Sequence, residues 1–94
     1  MKQFRWDPIK NARLLRQRGI SFEEVVVAIA QGRLLDIVEH PHPERYHHQR
    51  LFIVEMHHYA YLVPLVEEGD TLFLKTVIPS RKATKQYLQK ETTS

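Results

Sequence analysis

The stretch ISFEEVVVAIAQGRLLDIVE, residues 20–39, holds both kinds of structure in the chain and the switch between them. Ser21 and Glu24 stand at the S-x-x-E spacing of a capping box, in which the serine oxygen takes a helix N–H that has no other partner. Ile20, just before the cap, is placed to staple against Val25. The run from Phe22 to Ala30 is mostly apolar and predicts a well-buried helix, which Gly32 ends. Past Gly32 the pattern becomes short β-rich runs separated by turn signals, and Leu34 to Glu39 reads as the first of them.

Working upstream, Phe4-Arg5-Trp6 reads as a short strand. Asp7 caps a helix whose first residue is Pro8, where a missing N–H costs nothing. Ile9, Ala12 and Leu15, with Leu14, supply its apolar stripe. Arg13, Arg16 and Arg18 lie late in the helix, where cations favour the negative end of the dipole, and Gly19 stops it. Downstream, His40-Pro41-His42-Pro43 is a loop, because its prolines lack ladder donors. Gln49 to Met56, Tyr59 to Val66 and Thr71 to Ile78 read as strands, with Glu67-Glu68-Gly69-Asp70 as a tight turn. Pro64 argues for an edge position or a bulge. Ser80 caps a last helix that fades into a polar tail, 91–94. Helices and strands are thus segregated, which means α+β: two N-terminal helices packed on a small antiparallel sheet of about four strands, with a short C-terminal helix, in a single domain over 1–94.

The 94 residues leave room for one core, and a hydrophobic fraction of 43% fits a folded globule. No apolar run approaches the roughly 20 residues that cross a bilayer. The N-terminal MKQFRWDPIK has no apolar segment of the signal-peptide kind, so no membrane association is expected. The chain has no cysteine, which excludes disulfides and thiol chemistry and makes a cytoplasmic location the default. Net charge is +3, unevenly placed. Lys2 to Arg18 carries six Lys/Arg against Asp7 alone, and Arg81 to Lys90 carries four with no acid. Two basic ends around an acidic middle form a cationic face if they meet in space, and otherwise a solvated surface.

Three constellations bear on chemistry. Asn11 to Gln31 has a helix-turn-helix outline, but Glu23 and Glu24 at the second helix's start would repel a DNA backbone. Six histidines (His40, His42, His47, His48, His57 and His58) invite a metal reading. Adjacent strand residues point to opposite faces, however, and no helical His spacing is present, so no metal or other cofactor is expected. A single histidine of His47-His48, near Tyr46 and Arg50, suits proton transfer near neutral pH. The third constellation is basic. Lys75 alternates with Phe73 and Val77, and Ser80, Arg81, Lys82, Thr84 and Lys85 cluster at the last helix start as a phosphate cradle. Tyr46 and Tyr87 are placed to stack on bases.

F-R-W-D-P-I-K-N at Phe4 to Asn11, R-G-I-S-F-E-E at Arg18 to Glu24, and P-S-R-K-A-T-K at Pro79 to Lys85 occur in that order. Together they resemble the BrnT-like toxins of bacterial type II toxin–antitoxin systems, colinearly over Phe4 to Leu88. Trp6, Asp7, Lys10 and Asn11 match the first signature, Gly19, Phe22 and Glu23 the second, and Ser80, Arg81, Ala83 and Thr84 the third. Arg50 falls where the family often has an arginine opening a central strand. The chain departs at Tyr61 to Val66, where the family ends a strand in His-Thr, and at Pro79-Ser80-Arg81 in place of Ser-Ala-Arg, as a divergent subgroup would. The resemblance implies a RelE-like fold and a ribonuclease acting on mRNA. It also implies a cognate antitoxin with a ribbon-helix-helix part, a heterotetrameric complex, and DNA contact only through the antitoxin.

On this reading the expected activity is metal-independent endoribonucleolysis, in which the RNA 2′-hydroxyl attacks its own phosphate. Arg50 and Arg81 are expected at the phosphate, and Ser80, Lys82, Thr84 and Lys85 along the RNA backbone. His47 or His48 is expected as general base, with Lys75 as the alternative. Trp6, Asp7 and Phe22 read as structural. The rival expectation is a non-catalytic basic module that holds an antitoxin or RNA; a DNA-binding regulator is a third.

Overall fold

The computed structural model describes residues 2–39, 42, 44–45 and 49–89. Tyr46, His47, His48, His40, Lys90 and the 91–94 tail, about which the sequence raises expectations, lie outside the described residues.

The two N-terminal helices form where their caps predict. Helix α1 (Pro8–Arg18) begins with the Asp7 carboxylate accepting from the Ile9 N–H at 2.9 Å. It stops at Gly19, whose φ of 68° is a left-handed conformation that costs an L side chain but not glycine. Helix α2 (Phe22–Ala30) starts with the Ser21 hydroxyl accepting from the Glu24 N–H. The helices are tied at their junction. Asn11 Oδ1 accepts from the Phe22 N–H at 2.7 Å, and its Nδ2 donates to Glu23 Oε1, also at 2.7 Å. That bond holds the Glu23 carboxyl below the usual carboxylate range. The Trp6 ring stacks on Phe22, centroids 5.7 Å apart.

The sheet has six strands where about four were expected: β1 (Gln3–Arg5), β2 (Leu34–Glu39), β3 (Gln49–Met56), β4 (Tyr59–Glu68), β5 (Thr71–Leu74) and β6 (Ile78–Pro79). They run in the order β1-β5-β4-β3-β2, with β6 paired to β4. All pairings are antiparallel except that of β1 with β5. One extra strand is β1, which joins the sheet beside β5, and the other arises because the expected run Thr71 to Ile78 is broken. β5 ends at Leu74, Val77 turns into the core, and the Arg18 guanidinium donates to the Val77 carbonyl. Lys75 and Val77 therefore do not share a face. Pro64 sits in the central strand, not at an edge or bulge. Its carbonyl accepts from the Lys75 N–H at 2.8 Å, so its missing N–H points at the same seam, where β5 has left β4 and β6 has not yet joined.

One face of the sheet carries the main core. Phe22, Val25, Val54, Met56, Val63, Leu65, Leu74 and Val77 are almost wholly buried between it and the helices. The opposite face carries a smaller cluster of Ile53, Ala60 and Ala83 under α3 (Arg81–Tyr87). The expected α1 stripe is only partly buried. Leu14 is in the core, while Ile9 and Leu15 are 71% and 56% exposed, because Leu14 points away from Ile9 and about 100° round the helix from Leu15. No described helix is long and apolar enough to cross a membrane.

The Asn11 carboxamide is the tie that sets the angle of α2. Asn11→Ala is expected to cost about 1–3 kcal/mol, because it leaves the Phe22 N–H without its partner. Urea denaturation monitored through Trp6 fluorescence checks this.

Candidate functional site

Strand alternation divides the expected site residues between the two faces of the sheet. Phe52 and Val54 of β3 and Leu65 and Leu74 of β4 and β5 point to the helix side, so Leu51, Ile53, Val66 and Phe73 point to the other. Helix α3 covers Ile53 and Ala60 but leaves the rest of that second face open. A groove along α3 is lined by Val38, Leu51, Lys82, Gln86 and Tyr87. A smaller depression lies across β4 and β5, formed by Val66, Glu68, Thr71, Phe73 and Lys75. The Lys75 ammonium stands 5.3 Å from the Phe73 ring centroid, a cation–π arrangement that keeps the charge over an apolar surface. Tyr87 lays its ring in the groove and donates its hydroxyl to Asp36 Oδ2 at 2.5 Å. That bond, with some burial and the Asp36 charge, raises the Tyr87 pKa above the ordinary phenol range.

The hydroxyls expected to cradle phosphate are used to dock α3. Ser80 Oγ accepts from the Ala83 N–H, and the Ser80 N–H donates to the Ala60 carbonyl, both at 3.0 Å. The Thr84 hydroxyl donates to the Ser80 carbonyl at 2.7 Å and accepts from the Ala60 N–H at 2.9 Å. Thr84 is 2% exposed, so it is an internal tether out of reach of a ligand phosphate. Arg81, Lys82 and Lys85 are exposed. At 100° per residue, Lys82 and Gln86 share the flank toward the groove. Arg81 and Lys85 share the other, toward the turn between β3 and β4.

Arg50 is elsewhere. It has the parity of Phe52 and Val54, so it emerges on the helix side of the sheet, at the end away from that turn. There Arg50 Nε lies 3.6 Å from Glu67 Oε1, and Lys2 pairs with the same carboxylate. The sheet separates Arg50 from Arg81, and the two do not converge on one phosphate as expected. Lys75 and Lys82 do share a face.

Side chains that the sequence does not bring together meet at the β3–β4 turn. His57 and His58 alone connect the strands, with φ of 56° and 61°. Two positive φ values in a two-residue hairpin define the type I′ geometry, which favours Asn-Gly and strains other residues. His57 Nε2 lies 2.5 Å from Glu24 Oε2. The Glu24 carboxylate thus goes to His57 and not back to its own capping box. Tyr61 is adjacent, its pKa raised first by burial and then by the Glu24 and Tyr59 charges, with Arg18 opposing. Tyr59 and Tyr61 meet edge to face at 5.8 Å. The available signal was turn length: exactly two residues between alternating strands, with a carboxylate free at the start of α2.

No protein-family model, curated protein or solved structure matches the chain.

The Tyr87–Asp36 bond makes a pH prediction. With its folded pKa raised, Tyr87 contributes stability that is present below the ordinary phenol range and lost as pH rises through the raised value. Asp36→Asn removes the charge opposing ionisation. Ultraviolet difference titration is expected to show one tyrosine deprotonating at lower pH than in the wild type.

Proposed function

We propose that the chain is the toxin component of a bacterial type II toxin–antitoxin system and a metal-independent endoribonuclease that cleaves mRNA in the cytoplasm. Its fold is read as RelE-like. Its partner is a cognate antitoxin with a ribbon-helix-helix part, in a heterotetramer that meets DNA only through the antitoxin. The three colinear motifs support the family reading. One observation carries the RNA reading: the open half of the sheet sets Lys75 and Lys82, with the rings of Phe73 and Tyr87, on a single accessible face.

Such a face suits single-stranded RNA. Cations neutralise successive phosphates, and aromatic rings offer sequence-tolerant stacking. Lys75 and Lys82 hold the strand on the groove side of α3, and Arg81 and Lys85 continue the positive path over the helix. Cleavage requires a base for the 2′-hydroxyl proton and a cation for the developing negative charge. Arg81 is the cation assigned to that charge. Arg50, held at Glu67 on the other face, is left out of the phosphate site.

The second reading is a non-catalytic module that binds RNA or the antitoxin through the same face. The separation of Arg50 from Arg81 favours it, since one of the two expected phosphate cations is absent from the site.

Purified protein incubated with a long RNA in EDTA separates the two: fragments mean an enzyme, retardation of intact RNA means a binder. Expression without an antitoxin is expected to arrest bacterial growth, and Arg81→Ala, still folded, to relieve it. Harmless expression of both proteins contradicts the toxin reading. Lys75→Ala and Lys82→Ala are each expected to weaken RNA binding similarly across sequences and to reduce its salt dependence by about one phosphate contact.

A further inference from the structure

The expected general bases, His47 and His48, lie outside the described residues, and the ribonuclease reading still requires a proton acceptor. The β3–β4 turn holds one. His57 is bonded through Nε2 to the Glu24 carboxylate, which requires the proton of the neutral ring to sit on Nε2. Nδ1 is then the nitrogen left to accept a proton, on a side chain that is 54% exposed. A carboxylate that fixes tautomer and orientation, and stabilises the imidazolium once formed, is what a histidine base needs.

The surroundings suit the same role. Asn11 fixes the start of α2 through Phe22 and Glu23, and this holds Glu24 in place beneath the turn. The left-handed pair at His57 and His58 makes the tight turn from which the ring meets the carboxylate. From the sheet, Tyr61 lies near Glu24 with Tyr59 against it; Arg18 of α1, its guanidinium anchored on the Val77 carbonyl, lies near Tyr61. On the α3 side the β4–β6 register aligns Tyr61 with Pro79. Arg81, two residues on, lies at the turn end of the sheet, whereas His57 and Glu24 lie on the helix side with Tyr61, so RNA held on the α3 side must round that end of the sheet to reach His57.

We infer that His57, oriented by Glu24, is the general base of the RNA cleavage proposed above, an inference that rests on that reading. His57 Nδ1 takes the proton of the 2′-hydroxyl, and the 2′-oxygen forms a bond to phosphorus. The phosphorus–5′-oxygen bond breaks, and the 5′-oxygen leaves with the electron pair and is protonated by solvent. The products are a 2′,3′-cyclic phosphate and a 5′-hydroxyl, and the imidazolium, paired with Glu24, returns its proton to water. Glu24 is a positioning residue, and His58 completes the turn.

Single-turnover cleavage of a defined RNA in EDTA, across pH, tests this. His57→Asn keeps a residue that tolerates the left-handed turn, so the fold is retained. It is expected to lower the cleavage rate by about 100-fold or more, with RNA affinity and thermal midpoint close to wild type. Glu24→Gln is expected to cleave more slowly with RNA affinity unchanged, and Glu24→Asp, which restores a carboxylate, to recover part of the loss. His57→Asn cleaving at the wild-type rate with an unchanged profile overturns the inference alone. A wild type that retards RNA but never cuts it overturns the ribonuclease reading and the inference with it.

Discussion

The Asn11 carboxamide is the constraint on which the rest of the molecule depends. One side chain uses its oxygen and its nitrogen to hold the first N–H and the second residue of α2. Without it, that end of α2 would rely on Ser21 alone for its unpaired N–H groups. With it, α2 lies against α1 at a set angle, Phe22 drops fully into the core beneath Trp6, and Glu24 is delivered to the β3–β4 turn. The residues that make the N-terminal motifs legible (Trp6, Asp7, Asn11, Gly19, Phe22 and Glu23) are the cap, the tie, the stop and the stacked pair of this junction. Their pattern records a way of assembling two helices on a sheet.

A second constraint comes from β4. Because Pro64 cannot donate, its far side cannot carry an unbroken ladder, and the chain leaves β5 and returns as β6 across that seam. The return sends Ser80 to Ala60, where the Ser80 and Thr84 bonds seat α3 across part of the second face. The uncovered remainder is the open surface with Lys75, Phe73 and the groove. A short helix placed by three hydrogen bonds thus decides how much of the sheet stays available to a ligand. Its own periodicity sends Lys82 to one side and Arg81 to the other.

Local signals were legible in the sequence wherever one residue type satisfies one backbone need. Asp7, Pro8, Gly19, Ser21 and Ser80 cap or stop the helices as read, and the strands of the β3–β4 hairpin begin and end close to where alternation places them. What escaped was long-range. Which flank of α1 is buried depends on the sheet, and Leu14 won over Ile9 and Leu15. The break after Leu74 depends on Pro64, ten residues away in the chain. Arg50 and Arg81 looked like partners in sequence because parity across a sheet is invisible until its register is known. Thr84 read as a ligand contact because a buried tether and an exposed donor are the same residue type. The His57–Glu24 pair escaped because its members are 33 residues apart and the capping box already accounted for Glu24.

The central claim is that this surface serves cleavage driven by the RNA's own 2′-hydroxyl. It is tested most directly with a synthetic RNA carrying a single 2′-deoxy nucleotide on the 5′ side of its cleaved bond. The account predicts that the unmodified strand yields a fragment ending in a 2′,3′-cyclic phosphate and that the modified strand stays intact at that bond while binding equally well. Cleavage of the modified strand at the same bond would contradict it.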